Sequence, residues 1–393
     1  MRTIIKTVKQ YSYELDEDVL KELKFIANQY KNVKNYVYSR YSGINSITIL
    51  GGYKKEIRDI WVKTKFAEQW RMPARYWKLA LDEAIGNIKS QWSNIKRKIK
   101  SQIRVNDNLS NEDRHYINYI LKFDNYYSKI LTNQCFDIPK VFQDKELNYN
   151  YLNNLIKRYT RRYKGHIPYS KVGNKLSIDT GLYSCKDNCI NITSTRKGKR
   201  LSIKLTDINK YHRTMIVKIV DSKIIIYCPL KVKVKKNINK ENIIGIDKGY
   251  KYLFAVSSDN FYGESLNYHL NRETERLSKA NAQRNRFWAL YNQYLDQGNI
   301  KKANTIKENN LGIVKYNHNK SKHDQTVKSY INYSLNQLIK EEKPTEIVME
   351  QLDFVNWNDR YPKSVKRKLS RWIKGYIRER LEYKCDFNSI KYT

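Results

Sequence analysis

The sequence predicts a multidomain α+β chain, with a helical region inserted in a β-barrel-like domain and an α/β domain following it. Three patterns lead there. Apolar residues from Asp16 onward recur at helical spacing. Between about 165 and 236 the period falls to two. Two short apolar runs, IIGID (243–247) and EIVMEQL (346–352), each carry a carboxylate.

Residues 3–15 read as an opening strand. Val19, Leu20, Leu23, Ile26, Ala27, Tyr30 and Val33 then share one helical face, with Asp16 as a start signal. Gly51-Gly52 marks a turn, and helical patterns resume over Trp61–Trp70, Pro73–Lys100 and roughly 110–133. The Pro73–Lys100 helix ends in a basic turn of Lys96, Arg97, Lys98 and Lys100. Short strands fill 165–236, closing in a hairpin around Asp221-Ser222. If the opening strand joins them, residues 1–15 and 161–240 form one β domain and 16–160 is its helical insertion. Residues 241–393 form the last domain: strands at 243–247, 252–259 and 261–266, polar helices at 272–310 and 322–342, and a strand at 346–352. An amphipathic helix at 364–385 follows, presenting Val365, Leu369, Trp372, Ile373, Tyr376, Ile377 and Leu381 on one side, and SIKYT opens another strand.

Lys and Arg number 76 against 39 Asp and Glu, a net charge of +37 spread from Arg2 to Lys391. Such an excess favours a polyanionic partner, because each neutralised phosphate releases condensed counterions. The 33 tyrosines serve mostly as core and rim, though a tyrosine ring also stacks on an unpaired base. No apolar run reaches membrane-spanning length, and no signal-peptide pattern opens the chain, so no membrane partner is expected. The five cysteines read as free thiols. Cys185 and Cys189 lack a second pair, so no zinc is expected.

Asp247 and Glu350 are the candidate chemistry. A carboxylate in a buried strand is costly unless paired or bound to a metal. If the two strands are neighbours, the acids converge across 102 intervening residues as hard ligands for Mg²⁺. Paired metal ions there activate water and stabilise the leaving oxygen of a phosphodiester. A β-rich start, a helix and a second acidic strand is the layout of an RNase H-type nuclease.

These motifs carry a specific resemblance. IIGIDKGYKYLFAVSSD resembles the first RuvC motif, and PTEIVMEQLDF the second, of TnpB, the transposon-associated RNA-guided nuclease, and of the related compact type V CRISPR effectors. RWIKGYIRERLEYKC resembles their bridging helix. MPARYWKLALDEAIGNIKSQW resembles their N-terminal helical segment, and the β-rich part their wedge domain. The resemblance implies a helical recognition domain inserted in a wedge-like β domain, followed by an RNase H-like (RuvC) domain. It makes Asp247 and Glu350 the catalytic and metal-binding acids, and guide RNA and target double-stranded DNA the partners. In that family a zinc ribbon with two Cys-x-x-Cys pairs and a third motif with another Asp follow. Here the sequence stops at Thr393 before either, and Asp353 and Asp386 match neither.

The expectation is therefore an RNA-guided DNA-binding protein whose two remaining acids are vestigial, cytoplasmic or nucleoid-associated, blocking transcription rather than cutting. Two alternatives stand beside it. One is an active Mg²⁺-dependent endonuclease whose third ligand comes from Asp353, Asp386, a second chain or a further C-terminal region. The other is an unguided RNA-binding protein. Arg371, Lys374 and Arg378 on the late basic helix are expected backbone contacts. So are Arg158, Arg161 and Arg162, which flank Tyr159 and Tyr163 in a cation–ring alternation suited to RNA.

Overall fold

Two acids, Glu17 and Asp18, complement the N-terminal dipole of helix α1 (Glu17–Tyr41), which begins after Asp16. The computed structural model describes residues 3–47, 54–238, 241–249, 251–350 and 374–393. Within them the chain forms two compact units, Ile5–Leu230 and Met1–Ile4 with Lys231–Thr393. Both mix helices with sheets.

In the first unit, α1 turns Leu23, Ile26, Tyr30, Val33 and Val37 inward. They share one core with α3 (Ala74–Arg104), which buries a stripe from Tyr76 to Ile103 along its whole length. The Tyr30 hydroxyl donates to Glu83 at 2.7 Å, which satisfies a phenol buried between the helices. The single helix expected over Trp61–Trp70 is instead two pieces. Helix α2 (Lys54–Lys63) stops, Lys65 takes a φ of 54°, and a 3₁₀ turn covers Phe66–Trp70. The reversal brings Trp61, Phe66 and Trp70 around Tyr36, with ring centroids 5.0–6.0 Å from that tyrosine. The stretch at 110–133 also divides, into α4 (Asn111–Lys122) and α5 (Asp124–Leu131). Phe123 breaks it with an extended ψ of 114°, and a Ser110–Asp113 capping box opens α4. Helix α6 (Tyr149–Lys164) completes the helical part.

Strand β1 (Thr3–Tyr11) lies beside β7 (Lys223–Lys233) in a sheet of order β1-β7-β6-β2, with β2 Lys175–Ile178 and β6 Met215–Val220. The β6–β7 turn lies at Asp221-Ser222, where Asp221 takes a φ of 53°. Strands β3 (Tyr183–Lys186), β4 (Cys189–Thr193) and β5 (Arg200–Lys204) form a second sheet. Ser12 and Tyr13 join the sheets: the Ser12 N–H donates to Ile224 O, and the Tyr13 N–H to Lys204 O, each at 3.1 Å.

The second unit holds a five-stranded sheet of order β10-β9-β8-β11-β12. Its strands are β8 (Ile243–Asp247), β9 (Phe254–Val256), β10 (Phe261–Tyr262), β11 (Glu346–Met349) and β12 (Lys391–Tyr392). β8, β9 and β10 pair antiparallel, whereas β11 runs parallel to both β8 and β12. Helices α7 (Leu266–Asp296), α9 (Val314–Glu342) and α10 (Lys374–Asn388) supply side chains to the core beneath one face. The expected helix at 272–310 breaks at Gly298, whose φ is 69°, before α8 (Ile300–Asn310). The helix expected at 322–342 starts earlier, at Val314. At the far end of α9, Glu342 accepts from Ser258, Asn260 and the Tyr262 hydroxyl, pinning the β9–β10 hairpin.

The sequence reading of β8 and β11 as fully buried strands needs correction. Ile244, Ile246 and Ile347 are buried, but Ile243 is 55% and Val348 41% exposed. One face packs on the helices, and the other stands open among the described residues.

Candidate functional site

Strand parity places the two acids. β11 pairs with β8 residue for residue from Glu346↔Ile243 to Met349↔Ile246. Asp247 is the last residue of β8 and Glu350 follows the last residue of β11, so both acids stand where these parallel neighbours end. Asp247 belongs to the open face, and both acids are exposed. Their exposure removes the desolvation cost that a buried position would impose.

The donor set fits Mg²⁺, which takes oxygen ligands and commonly uses one or two carboxylates with water and phosphate completing the shell. Among the described residues no group of three or more His, Cys, Asp or Glu is placed to hold a metal. Asp386 is exposed on α10, and Asp353 lies outside the described residues. Cys185 and Cys189 sit on opposite faces of the β3–β4 hairpin, since Cys185 pairs with Ile190 and Cys189 with Lys186. All five cysteines are free.

Cations border the acids. Burial and the neighbouring Arg378 charge hold the Lys248 ammonium below the ordinary lysine range, against the pull of Asp247. Lys248 and Arg378 thus stand in one electrostatic neighbourhood with Asp247. Arg378 also donates to Glu382 at 2.8 Å, one turn along α10. Together the acids can attract a divalent ion and the cations a phosphate. Lys374 opens α10, and Arg371 lies outside the described residues, as do Val365, Leu369, Trp372 and Ile373.

On α6, Arg158, Arg161 and Arg162 are exposed. The Tyr159 ring between them is not open for the stacking that the alternation suggested, whereas Tyr163 is half-buried. Tyr159 is 7% exposed, on the stripe with Leu152, Leu155 and Ile156. Tyr163 donates to Gln102 at 3.0 Å. The guanidinium carbons of Arg158 and Arg162 sit 5.6 and 5.7 Å from the centroids of Tyr159 and Tyr163, so each ring supports its own cation.

A second basic surface combines positions that sequence order separates. Lys89, Lys96, Arg97 and Lys100 of α3, with Lys122 of α4, line a cavity of about 640 Å³ against Trp92. Lys96 is also engaged with Asp124. The basic run at the end of α3 was visible in sequence. The contribution of Lys122 depends on how α4 packs.

No protein-family description matches the chain, and no curated protein matches it. Among solved structures, one described as the cryo-EM structure of the Cas12f1-sgRNA-target DNA complex is similar, at 14% identity and a TM-score of 0.36. That likeness covers 100% of this chain and 89% of the other. No helix among the described residues is long and apolar enough to cross a membrane.

Proposed function

We propose that the chain is an RNA-guided DNA-binding protein of the TnpB and compact type V kind, with a RuvC-like domain that holds nucleic acid more than it cuts it. The observation that supports this reading is the parallel pairing of β8 and β11, at whose ends Asp247 and Glu350 lie. The motifs around both acids support it, and so does the strand order β10-β9-β8-β11-β12, the RNase H-type arrangement. The β sheets around a helical insertion suit a wedge and a recognition domain. The net charge of +37 suits a guide RNA and a DNA duplex held through their backbones.

In this reading the guide reads sequence by base pairing, and the protein supplies backbone contacts. Arg158, Arg161, Arg162, Lys374 and Arg378 are the candidate contacts. Arg378 and Lys248 draw a phosphate toward the acids. Asp247 and Glu350 would hold Mg²⁺, which would stabilise charge on a phosphoryl oxygen. This reading expects slow cleavage of matched DNA or none. A bound complex that does not cut would obstruct a transcribing polymerase. The neighbouring ends of β8 and β11 also support a second reading, an active Mg²⁺-dependent endonuclease that takes its third ligand from elsewhere.

Sequencing the RNA that co-purifies with the full chain tests guidance. One discrete species with a variable end is expected. A heterogeneous RNA pool would instead indicate unguided RNA binding. Asp247→Asn with Glu350→Gln should abolish divalent-ion binding, read by calorimetry, and leave guide binding unchanged. Rapid cutting of matched DNA that Asp247→Ala abolishes would establish the endonuclease reading.

A further inference from the structure

Asp247 closes β8, and its pairings extend across the sheet. Asp247 pairs with Ala255 of β9, and Ala255 with Phe261 of β10. Phe261, Ala255 and Asp247 therefore form one row on the open face, because directly paired residues point to the same side. Two strand spacings put Phe261 about 10 Å from Asp247. The small Ala255 between them leaves a shallow floor.

Phe261 is 52% exposed, and its ring meets Tyr252 at a centroid distance of 4.8 Å. Lys251 Nζ lies 5.1 Å from the Tyr252 ring centroid. Two glycines fix this pair. A Cβ on Gly249 would come within 2.7 Å of Tyr252 O, so the loop carrying Tyr252 closes tightly only with glycine there. Gly263, at a φ of +77°, sits where a Cβ would come within 2.5 Å of Leu253 Cβ, which locks β10 against the start of β9.

We infer that Phe261 and Tyr252 form a base-stacking platform that seats an unpaired nucleic-acid strand across the open face, with its backbone passing Asp247 and Glu350. The inference deepens the reading of this sheet as a nucleic-acid site and rests on it. Charge decides the occupant: Lys251, Lys248 and Arg378 border the row, and cations beside exposed rings match a phosphate backbone with bases. A purely apolar protein partner would leave these cations unanswered. Phe261 acts here as a positioning residue, holding the base beside the phosphate that faces the acids.

The test uses the full chain and a single-stranded deoxyoligonucleotide carrying 5-iodouracil, without a guide. Photocrosslinked peptides containing Tyr252 or Phe261 are expected. Phe261→Ala and Phe261→Leu should each weaken binding of the strand about fivefold or more, the cost of one lost base–aromatic stack, while Phe261→Trp retains it. The leucine variant keeps apolar bulk, so its loss separates stacking from packing. Adducts that map only elsewhere, or a leucine variant that binds like the wild type, would overturn the platform. Guide-dependent duplex binding is scored separately. Its failure, with these adducts intact, would remove RNA guidance and leave the platform standing.

Discussion

Helices α3 and α7 are both 31 residues long, one in each unit, and they spend that length differently. α3 buries side chains from Tyr76 to Ile103, from its first turn to its last. α7 buries Leu266, Leu270, Glu273, Thr274 and Leu277, then turns polar on its remaining sides. Beyond Leu277 its apolar residues Trp288, Leu290 and Leu295 are exposed. Its distal half packs with α8, and Arg284 secures that hairpin by donating to the carbonyls of Leu311 and Gly312. A continuous apolar stripe makes a helix a structural spine. A stripe that stops after three turns makes its remainder a projecting arm, stabilised by local contacts.

The largest test of that contrast is Ile88→Ala in α3. Ile88 is fully buried among well-packed neighbours, so the substitution should cost about 2–5 kcal/mol in denaturant unfolding. Within the buried half of α7, Arg276 makes two hydrogen bonds to Glu273, at 2.7 and 2.6 Å. Arg276→Ala should cost about 3 kcal/mol, the lower end for breaking a buried ion pair. The lower end applies because the Arg276 side chain is already 38% exposed. A cost near zero would mean that α7 anchors without this pair.

Acid unfolding probes both units through one device. Burial alone would raise the carboxyl of Glu22, but hydrogen bonds from Ser194 and Thr195, with the Arg196 charge, bring it below the ordinary range. Glu342 is treated alike by Tyr262, Asn260 and Ser258. A carboxyl with a depressed folded pKa adds stability above its unfolded value near 4.5. That stability is lost as pH falls through the folded value. Glu22→Gln and Glu342→Gln should each reduce stability at neutral pH and flatten its decline below about pH 4.5. Unchanged pH curves would deny both clamps. The smallest effect belongs to the arm: Leu295→Ala should change stability by no more than about 0.5 kcal/mol, as for an ordinary surface position.

Much of this layout was legible in sequence because periodicity records burial directly. The α3 stripe, the β6–β7 hairpin at Asp221-Ser222 and the two acid-bearing strands are all local patterns. The reading of Asp247 and Glu350 as one site assumed that their strands are neighbours, and β8 and β11 do pair in parallel. Other features depend on long-range packing. Nothing local marks Lys65 for a positive φ, because the reversal there is driven by aromatic packing around Tyr36. The burial of Tyr159 was readable from its spacing to Leu152, Leu155 and Ile156, but the flanking arginines drew attention to its ring instead. Phe261 could not be singled out, since its place in the row of Asp247 follows only from two successive strand pairings.

The sharpest single measurement is a mobility-shift titration of the purified ribonucleoprotein against duplexes that match or scramble the variable end of its RNA, at fixed salt. Binding of the matched duplex, with scrambled duplex left free at the same concentration, is the expected result. Equal binding of both, weakening together as salt rises, would contradict RNA guidance and leave a basic protein held to nucleic acid by charge alone.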